Sequence, residues 1–381
     1  MNTEEKLNLI TKNTEEIIGL EELEKMLENN EKLNHYIGFE ISGRIHLGTG
    51  LMSMMKVKDL HDAGVECSIF LADWHAWIND KLGSDKDIIK EVAVGYFKEG
   101  MRECYKIVGG NPDDIKFVLG SELYHNNDLY WQTFIDVCKN LTLARVIKST
   151  TIMGRNQGET MPFAWLIYPP MQVADIFIQG LNIAHAGLDQ RKAHVIAREV
   201  ALKLKYAALK NESGQIIKPI ALHHHLILGL TKPDIWPITD KENLQKVWSQ
   251  MKMSKSMPDS AVFINDSEDD IHRKVNKAFC PEGEVKFNPI LDWAKHLIFP
   301  NITDGILIKR EEKFGGNINY IKYEDLENDF KNKKLYPADL KNFVAEWLIN
   351  FLRPIREHFS KGKAKEMKEY LEQVQKIKIK E

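Results

Sequence analysis

The chain reads as an α/β protein: a Rossmann-like, doubly wound parallel sheet joined to a smaller, mainly helical C-terminal unit. Three observations point there. Short apolar runs alternate with helix-period segments from His35 to Leu222. The run Cys67-Ser68-Ile69-Phe70-Leu71-Ala72 is almost wholly apolar, as suits a strand covered on both faces. Beyond Ser267 the texture turns helical. At 381 residues two main domains fit, a sheet domain over 35–265 and a helical domain over 266–381, behind an N-terminal helical segment at 1–34.

The elements follow in order. Residues 5–33 read as one polar amphipathic helix, with Leu7, Ile10, Ile17, Ile18, Leu23 and Leu27 as its apolar face. Tyr36-Ile37-Gly38-Phe39 is a short strand that turns at Ser42-Gly43. A helix runs from about Gly48 through Leu51, Met54, Met55 and Leu60 to a stop at Gly64. After the strand at Cys67–Ala72 comes a long helix (Ile88, Val92, Tyr96, Phe97, Met101) ending at Gly109-Gly110, then a strand at Ile115–Leu119. Helices are expected near 128–147, 165–178 and 189–206, with short strands at Leu181–Ala184 and Pro219–Leu222. The C-terminal unit should carry helices at 267–279, 288–298 and 337–358, and residues 373–381 should fray.

Composition narrows the function classes. A chain with 43% hydrophobic and 28% charged residues is not wholly disordered. No apolar run approaches the ~20 residues of a membrane span, so no membrane partner is expected. The polar start Met1-Asn2-Thr3-Glu4-Glu5-Lys6 is unlike a signal or transit peptide. Cys67, Cys104, Cys138 and Cys280 form no Cys-x-x-Cys pair, which argues against a zinc ribbon or a disulfide framework and for the cytoplasm. A net charge of −3 excludes a uniformly basic nucleic-acid coat but not a local footprint.

Two segments carry chemistry. Ile41-Ser42-Gly43-Arg44-Ile45-His46-Leu47-Gly48-Thr49 joins the first strand of the sheet to its helix. In an open parallel sheet that turn faces ligands, and a helix N-terminus offers free N–H groups to an anion. Gly43 and Gly48 would admit a nucleotide close to the backbone, and His46 would donate to a polyphosphate. Read alone, the turn is a capped helix with a surface histidine, since so short a motif recurs by chance. Lys252-Met253-Ser254-Lys255-Ser256, followed by Pro258, is a cationic loop suited to charge that develops on a departing pyrophosphate. Read alone, it is a solvated basic turn.

Together the two segments are similar to the paired signatures of class I aminoacyl-tRNA synthetases. Tyr36-Ile37-Gly38-Phe39-Glu40, Tyr168-Pro169-Pro170-Met171-Gln172-Val173-Ala174-Asp175 and Gly187-Leu188-Asp189-Gln190-Arg191-Lys192 resemble the archaeal and eukaryotic tyrosyl enzymes. Phe279-Cys280-Pro281, Lys313-Phe314-Gly315-Gly316 and Pro337-Ala338-Asp339-Leu340-Lys341 carry the likeness into the C-terminal unit, so that it spans roughly 5 to 360.

The resemblance implies roles residue by residue. Tyr168, Gln172 and Asp175 fall at i, i+4 and i+7 on one face of an otherwise apolar helix, so that face should line a pocket. By the family's pattern Asp175 and Tyr36 hydrogen-bond the substrate phenol, while Tyr168, Gln172 and Gln190 hold the α-amino group. Gly38, Glu40 and His75 line the same pocket. Such a pocket favours tyrosine over phenylalanine, and over tryptophan, whose indole needs a differently shaped acceptor. Gly43, His46, Gly48, Gly187, Asp189, Lys252, Ser254 and Lys255 would hold ATP. His46, Gly48, Thr49, Lys252 and Lys255 would act in catalysis, and Phe314 and Asp339 would read the anticodon. The implied activity is tyrosine activation by ATP, with Mg²⁺, and transfer to tRNA(Tyr) by a homodimer without a protein-ligated metal. The rivals are a non-catalytic RNA-binding paralogue and a small nucleotidyltransferase.

Three features depart from the family. Thr49 stands where many members have a second histidine, and Leu123-Tyr124 where archaeal relatives have Phe-Gln. Residues 231–250 exceed the link of compact relatives. Two prolines there precede an expected amphipathic helix from Asp240 to Met251, with Trp248 as an anchor for the lysine loop. The triplet His223-His224-His225 reads as a strand end beside the adenine rather than a metal site, since no carboxylate or cysteine set completes it in sequence. Trp74, Trp77, Trp165, Trp293 and Trp347 read as core or rim aromatics. Lys361, Lys363, Lys365 and Lys368 read equally as a solvated tail or an RNA contact.

Overall fold

The computed structural model describes residues 1–154, 160–234, 236–237, 251, 253 and 257–378. Three elements open the chain: α1 (Thr3–Thr11), β1 (Thr14–Ile18) and α2 (Leu20–Glu28). This corrects the single-helix reading of 5–33. Asn13 (φ 53°) and Gly19 (φ 98°) take left-handed conformations that bracket a strand, and the β-branched pair Ile17-Ile18 suits one. Hydrophobic period alone could not separate two short helices from one long one.

The sheet continues with β2 (Asn34–Glu40), α3 (Ser53–Asp62) entered through a π-turn at Gly48–Met52, and β3 (Glu66–Ala72). Then come α4 (Asp73–Ile78), α5 (Lys86–Val92), α6 (Lys98–Ile107), β4 (Lys116–Leu119), α7 (Gly120–Tyr124), α8 (Asp128–Lys139) and α9 (Leu143–Ser149). The expected helix at 128–147 breaks because the Thr142 side chain caps a new helix, accepting from the Arg145 N–H. The segment closes with α10 (Ala164–Ile178), β5 (Ile183–Gly187), α11 (Arg191–Val200) and β6 (Ile220–His224). Strand order is β1-β6-β5-β2-β3-β4; β1 is antiparallel to β6 and the other pairs are parallel. The order reverses between β5 and β2, and the carboxyl ends of those strands are where ligands bind in such sheets.

The C-terminal part contains α12 (Glu268–Lys277), α13 (Pro289–Trp293), β7 (Ile306–Ile308), β8 (Ile318–Tyr320), α14 (Tyr323–Lys331), α15 (Pro337–Phe351), α16 (Arg353–His358) and α17 (Gly362–Lys378). The β7–β8 hairpin was not expected; three-residue strands leave too little alternation to read. Nor does the tail fray at Gln373: α17 runs on to Lys378, with Leu371 and Val374 buried. One apolar cluster joins Ile45, Leu51 and Phe97 of the sheet region to Leu348 and Phe359, so the helical part packs on the sheet through a shared core. A second cluster on the opposite side contains Tyr36, Phe70, Tyr124, Tyr130, Met171 and Phe177.

Candidate active site

The second cluster holds the polar face of α10. Asp175 is 1% exposed. One of its oxygens, Oδ2, accepts from the Tyr124 hydroxyl at 3.3 Å and lies 3.8 Å from His75 Nε2; the other, Oδ1, is buried without a protein partner. Burial pushes the Asp175 carboxyl well above the usual carboxylate range, against the Tyr124 hydrogen bond. Burial likewise holds His75 down to about 3, so its imidazole is neutral. Both His75 nitrogens and the Tyr130 hydroxyl are also buried without a hydrogen bond. Unpaired polar atoms gathered in one place mark a site built for a polar ligand group.

The residues expected to line a pocket surround this carboxylate. Tyr36 is buried on β2, and Gly38, two residues on, is exposed beside the Tyr36 and Phe70 rings. His75 sits edge-on to Tyr168, ring centroids 4.5 Å apart. The Tyr168 hydroxyl donates to Glu40 Oε1 at 3.3 Å. Glu40 also accepts from Asn79 at 2.6 Å and faces Lys81 at 3.6 Å, so it braces Tyr168. Gln172 donates to Gln190 at 3.4 Å, and Gln190 donates to the Ile152 carbonyl at 3.0 Å. Tyr36, Glu40, His75, Tyr168, Gln172, Asp175 and Gln190 thus come together from four segments of the chain.

The first signature lies at the carboxyl end of β2. The Thr49 N–H donates to His46 Nδ1 at 3.2 Å, and Thr49 Oγ1 lies 3.1 Å from His46 Nε2. With Nδ1 accepting, Nε2 carries the ring proton. The backbone N–H at position 49 thus sets the His46 tautomer, and the Thr49 hydroxyl oxygen lies where it accepts from Nε2–H. Gly48 opens the π-turn under the same ring. Gly43 has φ +128°, and a Cβ there would stand 2.6 Å from Gln375 Nε2 of α17. Gly187 ends β5 beside Asp189, and a Cβ on it would meet Leu226 at 2.7 Å.

Backbone bonds tie this turn to the far end of the sheet domain. Leu47 N–H donates to the Val262 carbonyl and Ile264 N–H to the Ile45 carbonyl, each at 3.0 Å. Arg44 pairs with Asp266 at 2.7 Å and stacks over Phe263 at 4.3 Å. Lys252, Ser254 and Lys255 lie outside the described residues, as does the expected helix carrying Trp248. On the strand side, Met253 N–H donates to the Ile227 carbonyl at 3.4 Å and Gly229 N–H donates to the Met251 carbonyl.

Comparison with known proteins now bears on this geometry. Residues 28–353 match the model of the class I tRNA synthetases for tryptophan and tyrosine. A tyrosine–tRNA ligase of Thermococcus kodakarensis is 56% identical over 380 residues, covering 100% of both chains. One from Pyrobaculum calidifontis is 47% identical over 371 residues, covering 97% of this chain and 98% of the relative. A tyrosyl-tRNA synthetase of Pyrococcus horikoshii, solved with L-tyrosine, superposes with a TM-score of 0.94 at 53% identity, covering 98% of this chain and all of the other. The chain belongs to the archaeal-type tyrosyl-tRNA synthetases of class I.

In this synthetase the expected anticodon residues lie on neighbouring elements. Phe314 is half exposed, in the turn between β7 and β8, with its ring 6.4 Å from that of Tyr336. Tyr336 precedes α15, whose first turn carries Asp339. No side chain caps α15, so a simple capping role for Asp339 is not what the helix end displays. Burial raises the Asp339 carboxyl, against the charge of Arg310. Arg310 fixes the Phe314 turn by donating to the Gly316 and Lys334 carbonyls at 2.9 and 2.7 Å.

Sequence reasoning missed several groups. Tyr124 was visible only as a departure, and Tyr130 and Asn79 gave no signal. The triplet was read as lacking carboxylates, yet the fold brings Asp292 (2.7 Å) and Glu15 (3.3 Å) onto His225. Burial opposes a charge on His225; the two carboxylates outweigh it and hold the ring at about 9. The His225 and His296 rings stack at 4.0 Å, nearly parallel, and Asp292 faces both, 2.7 Å from His225 and 3.9 Å from His296.

Proposed function

We infer that this chain is a tyrosine–tRNA ligase that couples ATP cleavage to the charging of tRNA(Tyr). The observation that carries the reading is Asp175: a deeply buried carboxylate with one oxygen unpaired, set among hydroxyls and a neutral imidazole. A phenol O–H satisfies that oxygen; phenylalanine leaves it bare, and such sites discriminate by ~10⁴–10⁵ without editing. With the ring seated there, Tyr168, Gln172 and Gln190 hold the α-amino group, and the α-carboxylate points at the first signature.

The tyrosine carboxylate attacks the α-phosphorus of ATP, taken up as its magnesium complex. The bond from that phosphorus to the β-bridging oxygen breaks and pyrophosphate leaves. His46, at the carboxyl end of β2, supplies a hydrogen-bond donor to the charge that builds on the phosphates. Lys252 and Lys255 of the lysine loop supply cations to the departing pyrophosphate, while Gly187 and Asp189 hold the adenosine. A hydroxyl of the terminal tRNA adenosine then attacks the tyrosyl carbonyl, and AMP leaves. Catalysis rests on positioning and electrostatics, with no covalent enzyme intermediate.

Residues 35–265 form the catalytic unit in this reading, and 266–381 the unit that reads the anticodon through Phe314 and Asp339. An aromatic face stacks an unpaired base, and a carboxylate accepts from guanine N–H groups. Leu129, Trp131 and Ile135 of α8, with Trp77, give an exposed apolar face that supports a homodimer. No helix among the described residues is long and apolar enough to cross a membrane, which accords with a cytoplasmic enzyme. ATP–pyrophosphate exchange with each of the twenty amino acids tests the assignment. Exchange with tyrosine alone is expected; exchange driven by tryptophan, or by none, overturns it.

A further inference from the structure

Three buried histidines cross the sheet and play no part in the mechanism above. His35 lies on β2, His185 on β5 and His224 on β6, three adjacent parallel strands. The register sets them on one face: His35 is opposite Ile183, two residues before His185, and His224 is opposite Gly187, two residues after it. They therefore step diagonally from the start of β2 to the carboxyl edge of β6. His35 Nε2 lies 3.0 Å from His185 Nδ1, and His185 Nε2 lies 2.7 Å from His224 Nδ1. His224 Nε2 is at the ligand edge, 3.5 Å from where a Cβ on Gly187 would stand.

Burial holds His35 and His224 at about 3 and His185 well below its ordinary value, so all three rings are neutral. Each neutral ring has one N–H and one bare nitrogen. A hydrogen-bonded row of such rings has only two arrangements, and the choice at one end dictates the other. At the inner end His35 Nδ1 is buried without a partner. An orphaned buried N–H is rarer in folded proteins than an under-used acceptor, so Nδ1 should be bare.

A neighbouring pair in the same protein obeys that rule. His223 Nδ1 lies 3.0 Å from Glu16 Oε2, and the carboxylate can only accept, so His223 carries its proton on Nδ1. His223 Nε2 is then bare and accepts from His194 Nδ1 at 3.0 Å. His194 Nε2 is left bare, buried and unpartnered. Here an acceptor, not a donor, is left orphaned.

We propose that His35 and His185 fix His224 as a hydrogen-bond donor, its Nε2–H directed at an acceptor nitrogen of the purine ring of ATP beside Gly187. This rests on the adenosine site assigned above. His224 would be a nucleotide-contacting residue, and His35 and His185 positioning residues that set its tautomer. The row lets a strand centre, out of reach of solvent, decide whether the site offers a proton or a lone pair to the base.

The first measurement is the tautomer of His224 in the full-length protein, by ¹⁵N NMR of histidine-labelled enzyme, with the signal assigned by its loss in His224→Leu. The Nε2–H form is expected; the Nδ1–H form overturns the proposal. The second is pyrophosphate exchange with ATP and its 1-, 3- and 7-deaza analogues. One analogue should raise the nucleotide KM about tenfold in the wild type and have no effect in His224→Leu, with the tyrosine KM unchanged. His185→Leu should cost a similar factor, add nothing on top of His224→Leu, and be largely rescued by His185→Gln, whose amide can still donate to Nδ1. Additive losses, or a nucleotide KM indifferent to His224, refute the relay. If the wild type gave no exchange at all, the ligase reading would fail while the tautomer measurement still stood.

Discussion

Replacing Asp175 by Asn separates what the pocket does for tyrosine from what it costs the fold. The side chain keeps its shape and loses its charge. In the free protein the Tyr124 hydroxyl donates to Asp175 Oδ2, a bond that an amide oxygen in the same place also accepts. With tyrosine bound, the phenol O–H donates to Asp175, an interaction worth about 1.5–3 kcal/mol when the carboxylate is ionised. The kcat/KM for tyrosine in pyrophosphate exchange should therefore fall roughly 10- to 150-fold, while the KM for ATP stays within about twofold. Stability should move the other way. Burial raises the Asp175 carboxyl, so its contribution to folding is best below the ordinary carboxylate range and is lost as pH rises through the elevated value. Asn cannot ionise. The melting temperature of Asp175→Asn should match the wild type in acid and exceed it increasingly toward alkaline pH. Unchanged tyrosine kcat/KM would refute the pocket assignment, and a variant that grows less stable with pH would refute the account of the buried charge.

Other substitutions probe the remaining parts. Tyr124→Phe removes the protein's donor to Asp175 and should change the tyrosine KM about fivefold with an unaltered ATP KM; loss of ATP binding would place Tyr124 elsewhere. Lys255→Ala should lower the rate of adenylate formation in single-turnover assays and spare tyrosine affinity, since a contact made in the transition state appears in kcat. If only the tyrosine KM moved, the loop would have another role. Asp339→Ala should raise the KM for tRNA and leave pyrophosphate exchange intact; equal damage to both reactions would mean that Asp339 merely supports α15.

The parts of the fold legible in sequence were those with a long enough pattern. β2 and β3 emerged from their apolar runs, and α10 from its length, with Tyr168, Gln172 and Asp175 on a single face. The N-terminal strand escaped because Asn13 and Gly19 carry the decision in their backbone angles, and five residues between them hold too little period. The pocket's second layer escaped for a different reason. Asn79 braces Glu40, and Tyr124 reaches Asp175, only because α4 and α7 sit at strand ends whose spacing in space no local pattern records. The histidine row is the extreme case: His35, His185 and His224 mean nothing apart, and the parallel register alone aligns them.

The pairing of Ile45–Leu47 with Val262–Ile264 has a consequence for synthesis on the ribosome. Every residue assigned to the tyrosine pocket precedes Arg191, so that pocket can be assembled from an early part of the nascent chain. The first signature emerges earlier still, yet its backbone partners are translated only after the lysine loop, and Gln375, against Gly43, comes almost last. Because folding proceeds as the chain appears, the amino-acid pocket matures before the nucleotide frame does. Closing the frame around the first signature therefore waits on residues that leave the ribosome late.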